Sequence, residues 1–581
     1  MAQNQSNRKT AIQYCIMILS IIGLIVCIAV LFPQVRRMIL DWGEQILHKE
    51  SSTYQAWIRT LVSYAMGGIC FILFFDYCTL TRSGRTLVHH VKQEMKDCLS
   101  EIDFRSLVKP LLLMFGIYLL GILAIIRANF LYMDDIGHAA SGYREWHNWS
   151  RYVMLFLSYF VHPGTHVTDI SPLPQLLAIL ILAMSSVLII YVIGDKKITG
   201  VRLLASIPLG LSPYFLECLS YKFESPYMAL SILASIIPFL FIERKKAFFF
   251  CSVLSLLIMC MTYQAASGIY LLIVVMLCFQ DWNSKKKPNK EIFSFLCTSF
   301  FAFCLTMIMF KLFLVRAYTV DVSTTEMLSP TQLIPGACTN VKNYFLLINR
   351  DFGLIWKAAI VIIFLFFIIK SLSKSTQQKP VSFVVSLLVI SIAFVLSYGA
   401  YSFLEKPLYF PRALFGFGVF LSILCIYISD YKKTAVVAVL ALNWCFLVFA
   451  FSYGNALADQ NRYTNFRISL LLHDLSTLYP NRNMEDMDFQ LQNSIDYAPT
   501  IKNIAKHNPV IERLVPQIKE DDLFSYLYFL KYFNWGVLKL QDFSYGKDFV
   551  DFKTCDLPVV LDSYYHTIQS DGTHCLIILK H

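Results

Sequence analysis

The residues best able to do chemistry begin near position 134. The run Asn129-Phe130-Leu131-Tyr132-Met133-Asp134-Asp135-Ile136-Gly137-His138 sets two carboxylates side by side. Adjacent carboxylates in a poorly solvated cleft raise each other's pKa, which suits one of them to act as a general base. A turn in which both are simply solvated fits the spacing equally well. A second group, Glu217, Tyr221, Lys222 and Glu224, interrupts strongly apolar sequence between Ser212 and Pro226. Ionisable residues at membrane depth are costly and therefore mark candidate sites; the alternative is a Lys222–Glu224 pair stapling its own loop. A third, Glu405-Lys406-Pro407 to Pro411-Arg412, offers two cations that could hold a phosphate or could snorkel to an interface. Tyr263-Gln264 could donate to sugar hydroxyls or cap a helix. His138, His147, His162 and His166 lie near the acidic pair, but their spacing matches no metal-site pattern. A divalent metal held by Asp134 and Asp135 stays open. Asn148-Trp149-Ser150 is a chance glycosylation triplet, and Lys311 inside an apolar block reads as a snorkelling lysine.

The elements that must position these residues are membrane helices. Of 581 residues, 56% are hydrophobic and 15% charged, and the mean hydropathy is +0.56. Soluble globular chains carry roughly 25% charged residues, so a hydrated shell cannot cover this apolar mass. About thirteen apolar blocks fall between residues 11 and 452, among them 107–126, 199–216, 226–242, 247–263, 411–429 and 434–452. Most approach the roughly 20 residues that cross about 30 Å of hydrocarbon. The first, Ala11–Phe32, reads as a retained helix rather than a signal peptide.

The net charge of +11 does not indicate nucleic acid, because the cations sit in short runs between apolar blocks. Clusters such as Arg82/Arg85/Lys92/Lys96, Lys196/Lys197, Arg244/Lys245/Lys246 and Lys285/Lys286/Lys287 mark every second connection. The positive-inside rule then puts the N-terminus in the cytoplasm and all three chemical groups outside. Segment 84–106 has the periodicity of an interfacial amphipathic helix, and 151–161 is too short to span.

After Ser452 charged residues become frequent. An amphipathic helix over 461–480 and strands at 536–540, 557–561 and 575–579 predict a small extracytoplasmic α/β domain. Cys555 and Cys575 flank two of those strands, as a disulfide or as free thiols. The other cysteines lie mostly in apolar blocks, where they behave as small hydrophobes. The expected architecture is mainly α and polytopic. Residues 1–106 form N-terminal spans with the interfacial helix, 107–452 a membrane domain with outer loops, and 453–581 the outer α/β domain.

Several ordered motifs are similar to the Gtr-type serotype-converting glucosyltransferases, bacterial integral-membrane enzymes of GT-C architecture. They are Tyr132-x-Asp134-Asp135, Ser141-Gly142-Tyr143-x-x-Trp146 with Arg151, Asp169 to Gln175, Pro213 to Glu217 with Tyr221 to Glu224, and Tyr453 to Gln460. The resemblance covers about 110 to 465; Glu224 stands in place of an aspartate and Cys218 in place of an asparagine. It implies transfer of a hexose, glucose by analogy, from a polyprenyl-phosphate sugar to a cell-surface polysaccharide, with inversion, at the outer face of the bacterial cytoplasmic membrane. It further implies a partner enzyme that loads the sugar on polyprenyl phosphate and a flippase that delivers it. On that basis Asp135 is expected as base, with Asp134 positioning it or holding a metal. Arg151, Lys222 and Arg412 are expected on the phosphate and Glu217 and Gln264 on sugar hydroxyls, with Tyr221 and Glu224 also expected to bind substrate.

The competing class is a transporter or flippase for a lipid-linked sugar or polysaccharide. Transporters place coupling residues near mid-membrane on broken helices, often within repeats. Here the charge gathers at outer ends and no repeat is evident. A non-catalytic envelope-assembly subunit would need the acidic pair to be dispensable. A GT-C transferase acting on teichoic acid, lipid or protein is the third alternative.

Overall fold

The computed structural model describes residues 16–27, 51–315, 326–483, 486–533 and 550–580, leaving aside the side chains of 51–60 and 530–533. The chain is mostly helical, with a small sheet near its C-terminal end. Among the described residues eight helices are long and apolar enough to cross a membrane, or nine if the bent pair Gly200–Leu211 and Pro213–Ser220, which turns by 61°, counts as one span. The expectation of thirteen counted apolar blocks without asking what covers them. Gly416–Ile428 has 13 residues and every one is buried; at 1.5 Å per residue it reaches about 20 Å, short of the hydrocarbon thickness. Ser225–Ile236 and Lys245–Cys260 are likewise short. Proline explains several of the breaks, since Pro208, Pro213, Pro226 and Pro238 each sit at or near a helix start, where the missing N–H costs nothing. Gly416–Ile428 and Ser225–Ile236 owe their apolar composition to a protein interior, whereas Lys245–Cys260 leaves Leu254 exposed. The interfacial segment forms the helix Arg82–Ser100, and the short outer element forms Tyr152–Val161.

Two helices carry the site. Phe104–Ala128 starts at Asp103, whose carboxylate accepts the Arg105 N–H at 3.1 Å, and stops at Asn129 in the left-handed conformation with φ 48°. Lys433–Leu478 is continuous over 46 residues, about 69 Å, so it crosses the membrane thickness and projects well beyond. The two lie against each other at Gly454, where a Cβ would come within 2.4 Å of the Ala124 backbone. Only glycine allows that approach.

The projecting end of that helix supports a four-stranded sheet. In chain order the strands are β1 (Asp488–Gln492), β2 (Val559–Asp562), β3 (His566–Ser570) and β4 (His574–Leu579), arranged β1-β4-β3-β2. β1 runs parallel to β4, the other pairs are antiparallel, and β2 bulges between Val559 and Leu561. Ile468, Leu471 and Leu475 of the long helix pack with Phe489, Ile568 and Ile577 to form the core of this C-terminal unit. The strands expected at 557–561 and 575–579 are present within about two residues, whereas 536–540 lies outside the described residues. Ala498, Ile501, Val510, Ile511, Leu514 and Val515, although they follow residue 453, belong instead to the core of the helical body. The segment that follows β1 is therefore pinned into the helical body before the chain returns to complete the sheet.

Candidate active site

The acidic pair splits into two different environments. Asp135 opens the short helix Asp135–Ser141 and has no exposed surface. Its Oδ2 accepts the backbone N–H of Tyr132 at 3.1 Å, and both oxygens accept that of Lys222, at 3.1 and 3.0 Å. Phe223 N–H adds a longer contact of 3.4 Å to Oδ1. This carboxylate therefore ties the 132–135 turn to the 221–224 turn. Burial pushes its pKa up to about 7 against the pull of the Lys222 and Tyr132 amides. Asp134, the next residue, is only partly buried and makes no side-chain hydrogen bond among the described residues. Desolvation and the charge of Glu224 lift its pKa, while Arg412, His138 and Arg151 oppose the rise. It is the uncommitted carboxylate of the pair.

Glu224 is buried and fully engaged. It accepts the Trp146 indole N–H at 2.8 Å, pairs with Arg151 Nη1 at 3.3 Å and lies 3.9 Å from His138 Nε2. Burial opposes its ionisation, but His138, Arg151 and Trp146 outweigh it and hold the carboxyl below the usual range. His138 is raised in turn, because Glu224, Asp134 and Asp135 overcome its desolvation. Two neighbouring carboxyls thus have pKa values driven apart, the pattern that separates a fixed charge from a titrating group.

Glu217, on the second arm of the bent helix pair, holds Arg412. Its Oε1 meets Arg412 Nη1 at 3.1 Å and its Oε2 accepts the Arg412 backbone N–H, while Tyr132 OH donates to Oε1 at 3.3 Å. The Arg412 guanidinium lies over the Phe410 ring at 4.7 Å and the Tyr221 ring at 5.6 Å, and its side chain keeps 20% exposure. Arg151, 17% exposed, lies over the Tyr263 ring at 4.9 Å. Both guanidiniums act on Asp134 and on Tyr401. The arrangement combines one uncommitted carboxylate with two held cations, each of which keeps part of its side chain exposed. Such a set can take a proton on one side and bind an anion on the other.

Residues 123–429, just over half of the chain, match the family described as Glucosyl transferase GtrII. The chain belongs to the GtrII glucosyltransferase family. A Salmonella phage P22 protein described as an uncharacterized 55.3 kDa protein in the region 5′ of gtrB is 25% identical over 415 residues, covering 67% of this chain and 83% of that protein. No solved structure matches. The GtrII match contains every polar group described above, and membership supports a transferase set among membrane helices. The long helix beyond 429 and the outer sheet lie past the GtrII match.

Within this GtrII chain the structure corrects several expectations. Lys222 does not face an open phosphate site. Its ammonium is 3% exposed and donates to Asn129 Oδ1 at 2.6 Å and Asp169 Oδ2 at 2.8 Å. The Lys222–Glu224 staple is likewise not formed, because the two side chains serve different partners. Tyr221 is buried, its hydroxyl directed at Met133 Sδ and its ring 4.9 Å from that of Tyr132. Gln264 donates to the Trp149 carbonyl at 3.3 Å, beside Tyr263. Lys406 is exposed. Cys555 and Cys575 are both free: Cys575 is buried in β4, and the Cys555 thiol points at the Asp551 carbonyl. Among the described residues no group of three or more His, Cys, Asp or Glu could hold a metal, and both Asp135 oxygens are already taken by amides.

Sequence reasoning did not assign Trp146, His138 and Asp169 their roles as partners of Glu224 and Lys222. A signal existed, since each charge in the 217–224 loop needs a buried partner and these were the polar residues of the neighbouring outer segments.

Proposed function

We propose that the protein transfers a glucosyl residue from a polyprenyl-phosphate-linked sugar to a cell-surface polysaccharide, at the outer face of the bacterial cytoplasmic membrane. The observation that carries this reading is that, in a GtrII chain, Asp134 makes no side-chain hydrogen bond among the described residues while Asp135 is taken by backbone amides and Glu217 and Glu224 hold Arg412 and Arg151. The roles first expected for the aspartates are exchanged. Asp134 is the base, and Asp135, saturated by backbone amides, positions it.

In the reaction an acceptor hydroxyl gives its proton to Asp134 as its oxygen attacks the anomeric carbon. The bond from that carbon to the phosphate oxygen breaks, with inversion, and the electron pair leaves on polyprenyl phosphate. A positioned base contributes about 10²–10⁴-fold. Arg412 and Arg151 neutralise charge growing on the leaving phosphate, often the larger contribution. The held Glu217 keeps Arg412 aimed, as Glu224 keeps Arg151 aimed. The donor is supplied by an enzyme that charges polyprenyl phosphate and by a flippase, and the sheet domain lies outside the membrane.

Deleting the gene and analysing the surface polysaccharide tests the proposal. One branch glucose is expected to vanish and to return with the wild-type gene, though not with Asp134→Asn at equal protein level. An unchanged glycan in the deletion strain would overturn the reading.

A further inference from the structure

A cavity of about 730 Å³ lies between the outer loops of the helical body and the C-terminal unit. One wall is formed by Met133 and Pro411, the immediate neighbours of Asp134 and Arg412. The opposite walls belong to the projecting part of the long helix and to the tail, whose Asn461, Asn465, Gln517, Tyr497 and Tyr528 line the space. The Tyr528 hydroxyl donates to Asn465 Oδ1 at 2.7 Å, and Asn465 Nδ2 donates to Asn461 Oδ1 at 3.3 Å. The Gln517 amide makes no hydrogen bond among the described residues.

We propose that this cavity binds the acceptor saccharide, so that the outer unit, not the membrane helices, selects the polymer to be modified. Three observations converge. First, primary amides together with phenol rings match sugar rings, which present hydroxyls at their edges and C–H groups on their faces; one amide carries both donors and an acceptor. Charged side chains of both signs line the space, so nothing in it demands a charged ligand. Second, its height separates it from the lipid donor. Asn461 stands nine residues beyond Ser452, where the apolar run of the long helix ends, about 14 Å farther along the axis. A polyprenyl chain stays in hydrocarbon, whereas this space is in the aqueous layer. Third, Met133 and Pro411, which line the cavity, are the chain neighbours of Asp134 and Arg412, so the cavity adjoins the turn that carries the proposed base. The inference rests on the transferase reading above for the identity of its ligand class.

The test uses the full-length protein in detergent and fluorescently end-labelled oligosaccharides, released by mild acid from the surface polysaccharide of the gene-deletion strain. Fluorescence polarisation gives Kd. The Asn461→Ala, Gln517→Ala double variant is expected to raise Kd at least tenfold with an unshifted Tm, and Gln517→Trp, which replaces the amide with an indole that intrudes on the space, to raise it at least as far. Unchanged Kd in both variants overturns the proposal. So does wild-type glucose transfer by the Gln517→Trp protein, which leaves the transferase reading intact. Saccharide binding that depends on Gln517 in a protein unable to transfer glucose supports the cavity and overturns the reading of the reaction instead.

Discussion

The Asp135 carboxylate accepts the backbone N–H of Lys222 on both its oxygens, at 3.1 and 3.0 Å. An acidic side chain 87 positions away thus fixes the loop from which Glu224 reaches Arg151. This bond makes Asp135 a structural partner and leaves Asp134 as the carboxylate free to react.

The two aspartates should therefore fail in different ways. Asp134→Asn should lower kcat by about 10²–10⁴-fold with Tm unchanged. Asp135→Asn exchanges a carboxylate oxygen for an amide that cannot accept, at a cost of about 1–3 kcal/mol for the unmade buried bond. Thermal unfolding in detergent and labelled-glucose transfer read the two effects separately. A fall in Tm for Asp134→Asn with none for Asp135→Asn would reverse the assignment.

A base must be unprotonated, and Asp134 sits above the ordinary value of 3.8. The transfer rate is accordingly expected to fall on acidification at a pH higher than an exposed aspartate would give. The residual rate of Asp134→Asn should lack that limb. An identical acid limb in the variant would remove Asp134 from the proton transfer.

The His138–Glu224 pair should shape stability against pH. His138 is raised from 6.5, so the folded state holds its proton more tightly, and that contribution is full below 6.5 and lost as pH rises through the raised value. Glu224 is depressed from 4.5, so its contribution is full above 4.5 and lost as pH falls through the lowered value. The pair supports the fold most fully between about 4.5 and 6.5. His138→Gln should flatten the alkaline decline of Tm, and a decline of wild-type slope in that variant would exclude His138 as its source.

Arg412 gives Glu217 one N–H of its planar guanidinium fork and its own backbone N–H, and its side chain keeps 20% exposure. Arg412→Lys retains the charge that Glu217 needs but loses the fork. A fall of at least tenfold in kcat is expected, with a smaller change in Tm than Arg412→Ala causes. Equal Tm losses for Lys and Ala would show that Glu217 gains nothing from the retained charge.

The outer tail is latched where Arg513 meets Asp351 and the Tyr409 carbonyl. Tyr214 OH also donates to this carboxylate, at 3.0 Å. Asp351 has a side chain only 1% exposed and keeps Tyr214 and, at 3.7 Å, Arg350 as partners when Arg513 is removed, so the loss is about 1–3 kcal/mol. Arg513→Ala should expose 498–515 to hydrogen exchange and to proteolysis while β1–β4 stay protected. Unchanged exchange across 498–515 would show that apolar packing alone holds the segment.

The sequence by itself determined that this is a membrane protein with its scarce anions gathered at a few loops, because apolar length and charge placement follow directly from what lipid tolerates. The acidic pair, Arg151, Glu217, Glu224 and Arg412 were all legible as costly residues that require a reason. The number of spans was not, since hydropathy cannot distinguish a helix covered by lipid from one covered by protein, and Gly416–Ile428 is of the second kind. Nor could spacing tell Asp134 from Asp135. Their difference arises from amides of Lys222 and Phe223 that reach Asp135 only when two distant loops pack together. Tertiary structure also decided that Lys222 is spent on Asn129 and Asp169, and that the tail closes a cavity lined by Met133 and Pro411. Residue type sets what a group can do, and the partners that packing brings to it set what remains for it to do.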